Sequence, residues 1–177
     1  RTWTLAAIVL LVVFMVGGQI LGVIPGVMLG LVSMDPASMD WAGMAYILFA
    51  AFGASAILLL LWTTFFERRG PATLGLNGAF AKRFARGYGL GLGFLVVVVA
   101  IIWLAGGYRI EAGGSLAIAS LVPVAWLLAG FIVQGSTEEL MFRGWLMGLI
   151  ASRHGIWLAI AINSVLFGLV QIYDQSE

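Results

Sequence analysis

From Trp3 to Val32 the chain runs thirty residues without an acid or a base, long enough as a helix to cross the roughly 30 Å hydrocarbon core of a bilayer. Neither its length nor its flanks fit a cleavable signal peptide. The rest of the chain agrees: 62% of residues are hydrophobic, 10% are charged and the mean hydropathy is +1.08, where a soluble domain carries about a quarter charged residues. The 177 residues have room for about five spans of roughly 20 residues joined by short connections. The expectation is an all-α, polytopic transmembrane helical bundle, a single membrane-embedded domain over residues 1–177.

Within the first span Gly18, Gly22, Gly26 and Gly30 recur every four residues, which collects small residues on one face where another helix can come close. Pro25 is expected to kink it. A polar loop from Ser33 to Asp40 follows, with Ser38 or Asp40 placed to cap the next helix, and Trp41 to Phe66 forms the second span. The connection Glu67 to Arg86 holds Arg68, Arg69, Lys82, Arg83 and Arg86, five of the nine basic residues, so the positive-inside rule makes it cytoplasmic and puts the Asp35 loop outside. Gly87 to Ala105 is the third span. Gly106 to Ser115, with Arg109 and Glu111, is a second outside loop. Leu116 to Ala151 is too long for one span; Pro123 is its natural break, leaving a helix from about Val124 to Ala151 that runs inward to Arg153 and His154. Ile156 to Tyr173 returns outward as the fifth.

Several functions are excluded. There is no cysteine, hence no disulfide, thiolate nucleophile or Cys-ligated metal. A net charge of +1 with clustered basic residues gives no nucleic-acid-binding face. The Gly87, Gly89, Gly91, Gly93 series lies in a continuous apolar helix and not between a strand and a helix, so it is read as a close-packing face around Gly89 and Gly93 and not as a nucleotide loop. His154, the sole histidine, stands beside Arg153 in a polar turn and is read as solvated.

Chemistry concentrates in Ser136-Thr137-Glu138-Glu139-Leu140-Met141-Phe142-Arg143-Gly144. A charge at the centre of a span costs about 2.5–3.5 kcal/mol, so three in six residues mark function. Glu139 and Arg143 stand at i and i+4 with the acid first, the favourable order for an ion pair. Glu138 lies about 100° around the axis, on the face of Gln134, outside that pairing. This makes Glu138 the general base that activates water, and Glu139 with Arg143 a structural or electrostatic brace. On the fifth span Asn163, Phe167 and Gln171 fall on one stripe; Asn163 is read as interhelical hydrogen-bond glue.

These residues resemble the CAAX protease and bacteriocin-processing (CPBP, or Abi) intramembrane proteases, which include the Ras-converting endopeptidases. The first family motif, Glu-Glu-x-x-x-Arg, is matched by Glu138, Glu139 and Arg143. The second, Phe-x-x-x-His, is matched at Phe167, with Gln171 in place of the histidine. The stretch from Glu67-Arg68-Arg69-Gly70 to Leu74-Gly75-Leu76 is similar to a loop these proteins carry upstream. A third motif, on a later helix with His and Asn or Asp, does not occur up to Glu177, so the resemblance implies a domain lacking the C-terminal helices of the full family fold. It further implies catalytic roles for Glu138, Glu139, Arg143, Phe167 and Gln171, with Gln171 as oxyanion donor or as an inactivating replacement, since an amide cannot act as a titrating base and is a poor zinc ligand.

Three functions are weighed on this basis. The first is a glutamate-dependent intramembrane endopeptidase acting on a membrane protein or prenylated peptide in a bacterial cytoplasmic membrane. No cofactor is required by the residues present, and a divalent metal would need ligands from further helices. The second is a catalytically silent homologue serving as a scaffold, immunity protein or subunit of a membrane complex, in which bulky residues at Gly18, Gly22 or Gly26 disrupt assembly. The third, a transporter with Glu138 in a proton relay, finds no inverted repeat to support it.

Overall fold

The computed structural model describes residues 2–107 and 118–174, and all their regular structure is helical. α1 spans Thr4–Met28, α2 Trp41–Leu61, α3 Phe80–Leu104, α4 Ile118–Glu139, α5 Gly148–His154 and α6 Ile156–Asp174. α2 continues through a π-helical turn, Trp62–Phe66, and α4 joins α5 through a longer π segment, Leu140–Met147. Among the described residues four helices are long and apolar enough to cross a membrane, and the apolar stretch Ile156–Ile172 of α6 is somewhat shorter. Of the loop from Gly106 to Ser115, residues 108–115, with Arg109 and Glu111, lie outside the described residues.

α2 is the central helix, packed by both α1 and α4. Its start is set by Asp40, whose carboxylate accepts the Gly43 N–H at 2.8 Å and so satisfies one of the four donors that every helix start leaves open. The α1 glycine stripe fits against it. A Cβ on Gly22 would stand 2.4 Å from the Ala51 nitrogen, and one on Gly18 would meet Ser55 and the Ala51 carbonyl, 2.7 Å away. These glycines serve close packing inside the chain, so enlarging them disturbs the fold itself and does not single out assembly with a partner. Gly30 is not part of that face: with φ +69° and no neighbour within 4 Å it ends the helix. α1 is one helix through Pro25.

Against α4, α2 offers Leu48, which lies where a Gly130 Cβ would be, and the Phe52 carbonyl, which accepts the Thr137 hydroxyl at 3.3 Å. Thr137 also bonds the Val133 carbonyl at 2.9 Å, so this buried hydroxyl is satisfied within its own helix and across to the next. The main apolar core gathers where α1, the end of α2, the π segment, α5 and α6 converge, around Leu11, Phe14, Leu59, Trp145, Leu146 and Ile150.

Thr2 bonds Glu67 and Thr4 meets His154 at 3.0 Å. The start of α1, the end of α2 and the end of α5 therefore share one end of the bundle, together with Arg68, Arg69 and Arg153. Asp35 and Asp40 lie at the other.

Two expectations are corrected. The break at Pro123 does not occur: α4 is helical from Ile118 and carries Pro123 inside it, six residues into the helix where a missing N–H removes a single bond. The third span begins at Phe80, not Gly87, so Lys82, Arg83 and Arg86 sit on the first turns of α3. α3 buries no residue, and nothing lies within 4 Å of a Cβ at Gly87, Gly89, Gly91 or Gly93. Among the described residues these glycines pack against no other helix.

Candidate active site

The Glu-Glu-x-x-x-Arg motif straddles the junction between α4 and the π segment. Glu138 and Glu139 end the α-helix, and Arg143 lies in the π-helical turns, where i→i+5 bonds widen the coil. The ion pair forms as its spacing requires, Arg143 to Glu139 at 2.7 Å, with both side chains more than half exposed. They face a cavity of about 900 Å³, within the size range of small-molecule sites. One wall is α4, with Leu128, Phe131 and Ile132. The opposite wall is the loop around Leu74 and the start of α3.

That second wall carries an aromatic ladder. Phe80, Phe84 and Tyr88 stand at i, i+4 and i+8, with centroids 5.9 Å apart at each step and the last two rings stacked. Its spacing was legible in the sequence, but only on a helix that starts at Phe80.

Glu138 does not share this cavity wall. It is half-buried, and the Gln134 amide donates to its Oε1 at 3.2 Å, so the common face anticipated for these two residues is a hydrogen bond. One turn further along, Phe142 is buried and meets Phe167 of α6 edge-on, centroids 5.2 Å apart. Chain reversal at Gly155, φ +87°, sets this register, since Phe167 and Arg143 each lie twelve residues from it. Gln171 and Glu139 each lie sixteen away. Moving one turn from the Phe142–Phe167 contact in the same direction along both antiparallel helices leads to Glu138 on one and to Gln171 on the other. Each lies four residues beyond the Phe142–Phe167 contact along its own helix, and Gln171 is half-buried.

Asn163 is 8% exposed, but its Oδ1 has no hydrogen-bond partner among the described residues, so that oxygen does not serve as interhelical glue. His154 is exposed, as expected of a turn residue. No group of three or more His, Asp or Glu among the described residues is placed to hold a metal. Gln171, where the family motif has histidine, offers an amide, which is a poor zinc ligand.

Two features went unread in the sequence. One is the π segment, which no hydrophobic period signals. The other is the reason for Gly144: the Leu74 carbonyl oxygen lies 2.8 Å from where its Cβ would be, so only glycine lets the loop reach the motif helix. The Glu139–Arg143 pair is consequently level with the loop after α2, nearer the basic end of the bundle than the midpoint of its own helix suggests.

Residues 119–176 match the model of the Rce1-like family, described as type II CAAX prenyl endopeptidase Rce1-like. Over this segment the chain is similar to the CAAX prenyl endopeptidases. No curated protein and no solved structure matches. The matched third of the chain holds both motifs, the π segment and the α5–α6 turn, while the cavity's second wall comes from residues before it.

Proposed function

We propose that this protein is an intramembrane endopeptidase of the CAAX type that hydrolyses a peptide bond close to the basic face of the membrane. What supports the reading is the Phe142–Phe167 contact, which brings the two motif-bearing helices together, and the Glu139–Arg143 pair on a cavity lined by aromatic and aliphatic side chains. Glu138 takes a proton from water, and the resulting hydroxide attacks the scissile carbonyl. The Gln171 amide donates to the oxyanion that develops, and as that intermediate collapses the C–N bond breaks while Glu138 returns its proton to the leaving amine. Glu139 and Arg143 hold opposite charges in the cavity wall, where they orient the polar backbone of a peptide whose prenyl group lies along the Phe80–Tyr88 ladder. Because the pair is level with the loop after α2, peptide and water reach it without crossing the bilayer. The positive-inside rule makes that end cytoplasmic.

Gln171 favours one alternative, a catalytically silent homologue that works as a scaffold, immunity protein or subunit of a membrane complex. A glutamine donates to an oxyanion but does not titrate as histidine does. The two readings separate on Glu138→Gln and Gln171→His in vesicles with a prenylated CAAX-type peptide. The protease reading expects Glu138→Gln to abolish cleavage and Gln171→His to retain or raise it. A wild type that cleaves nothing while Gln171→His gains activity would establish the silent homologue.

A further inference from the structure

Glu67 is the carboxylate that the proposed chemistry does not use, and it is the more deeply buried: its side chain is 2% exposed. Buried carboxylates persist where donors surround them. Glu67 has three, from three separate segments. The Thr2 hydroxyl ahead of α1 donates to Oε1 at 2.6 Å. The Trp145 indole N–H in the π segment donates to Oε2 at 3.2 Å, and Arg69 reaches the same oxygen at 3.3 Å. Trp62 N–H donates in turn to the Thr2 hydroxyl at 3.2 Å.

Trp145 is fully buried, and a buried indole N–H needs an acceptor. Its ring also packs on Phe14 at 5.7 Å, so its position is fixed by both ends of the side chain. Arg68, φ +53°, is the one non-glycine residue with positive φ among those described. This left-handed turn brings Arg69 back to the node, where its N–H also bonds the Thr63 carbonyl at 2.9 Å. The loop then continues to Leu74, whose carbonyl fills the space at Gly144.

Three consecutive residues of the π segment therefore face three tasks. Arg143 pairs with Glu139 at the cavity, Gly144 receives the Leu74 carbonyl, and Trp145 is tied to Glu67. The stretch Thr73–Leu76 is at once part of this attachment and part of the wall facing Arg143. π-helical turns are rare and usually single, and an eight-residue one needs something to hold it.

We infer that Glu67–Leu74 is a clamp holding the π segment in register, with Glu67 as a positioning residue for the Glu139–Arg143 pair. The catalytic consequence rests on the protease reading above; the clamp itself does not. Trp145→Phe removes the indole N–H and keeps an aromatic ring, and Glu67→Gln keeps the shape of the side chain. Ile150→Val, in the same core, is the control for stability loss alone.

Amide hydrogen exchange of the full chain in vesicles is the first readout. Trp145→Phe and Glu67→Gln should each raise exchange at least tenfold over residues 140–147 while residues 41–61 keep their protection, and Ile150→Val should not. With the prenylated peptide, kcat should fall about tenfold at nearly constant KM. Unchanged exchange in both clamp variants, or a rise spread evenly over all helices, overturns the clamp. Local exchange with an unaltered kcat overturns the positioning role. A wild type without cleavage refutes the protease reading, and the exchange result still decides the clamp.

Discussion

Replacing glycine by alanine at position 22 and at position 93 is the same chemical change in two membrane helices, yet the two surroundings give it opposite signs. At Gly22 the new Cβ would stand 2.4 Å from the Ala51 nitrogen and 2.5 Å from its Cα, whereas non-bonded heavy atoms settle at about 3.5–4.0 Å. The obstructing atoms are backbone, so α1 and α2 must part by about 1 Å along that line. Overpacking of this kind costs about 1–3 kcal/mol, and alanine returns at most about 1 kcal/mol of helix propensity. Gly22→Ala should lose on balance up to about 2 kcal/mol. At Gly93 no atom lies within 4 Å, so the propensity gain stands alone, and Gly93→Ala should gain about 0.8–1.0 kcal/mol. Reversible unfolding of each variant by titration with a denaturing detergent, followed by circular dichroism, measures both. A Gly22→Ala that stabilises as much as Gly93→Ala would refute the packing of α1 on α2, and a destabilising Gly93→Ala would refute the open setting of α3.

Arg143→Gln should separate stability from function: both partners of its ion pair are more than half exposed, so unfolding should change by less than about 1 kcal/mol while peptide cleavage falls at least tenfold. Asp40→Ala removes the α2 cap and should lower stability by about 1 kcal/mol without altering cleavage; a change above about 3 kcal/mol in the same titration would mean that Asp40 does more than cap.

The helices were legible because lipid as solvent makes the signal coarse: long uncharged runs locate α1 and α2 within a few residues. The i, i+4 spacing of Glu139 and Arg143 and the shared face of Gln134 and Glu138 follow from helical geometry, and the structure has both contacts. Three features did not follow. Lys82, Arg83 and Arg86 give the first turns of α3 the composition of a loop, although basic side chains can extend from a helix end to the interface, so the apolar run alone points to Gly87, seven residues past the true start, and leaves the aromatic ladder off the helix. The glycines of α3 look like those of α1, and only the tertiary placement distinguishes a packed stripe from an open one. The π segment depends on Trp145, Glu67 and the Leu74 carbonyl, groups about seventy residues apart in sequence, and no local pattern encodes such a meeting.

The central claim is that Glu138 activates water for peptide hydrolysis. Its most direct test is the cleavage rate of a prenylated CAAX-type peptide by the purified chain in vesicles, wild type against Glu138→Gln, with amide exchange confirming that the variant remains folded. The account predicts cleavage by the wild type and loss of at least a thousandfold in the folded variant, the upper part of what general acid–base catalysis contributes, about 10²–10⁴. Equal rates in the two proteins would contradict it.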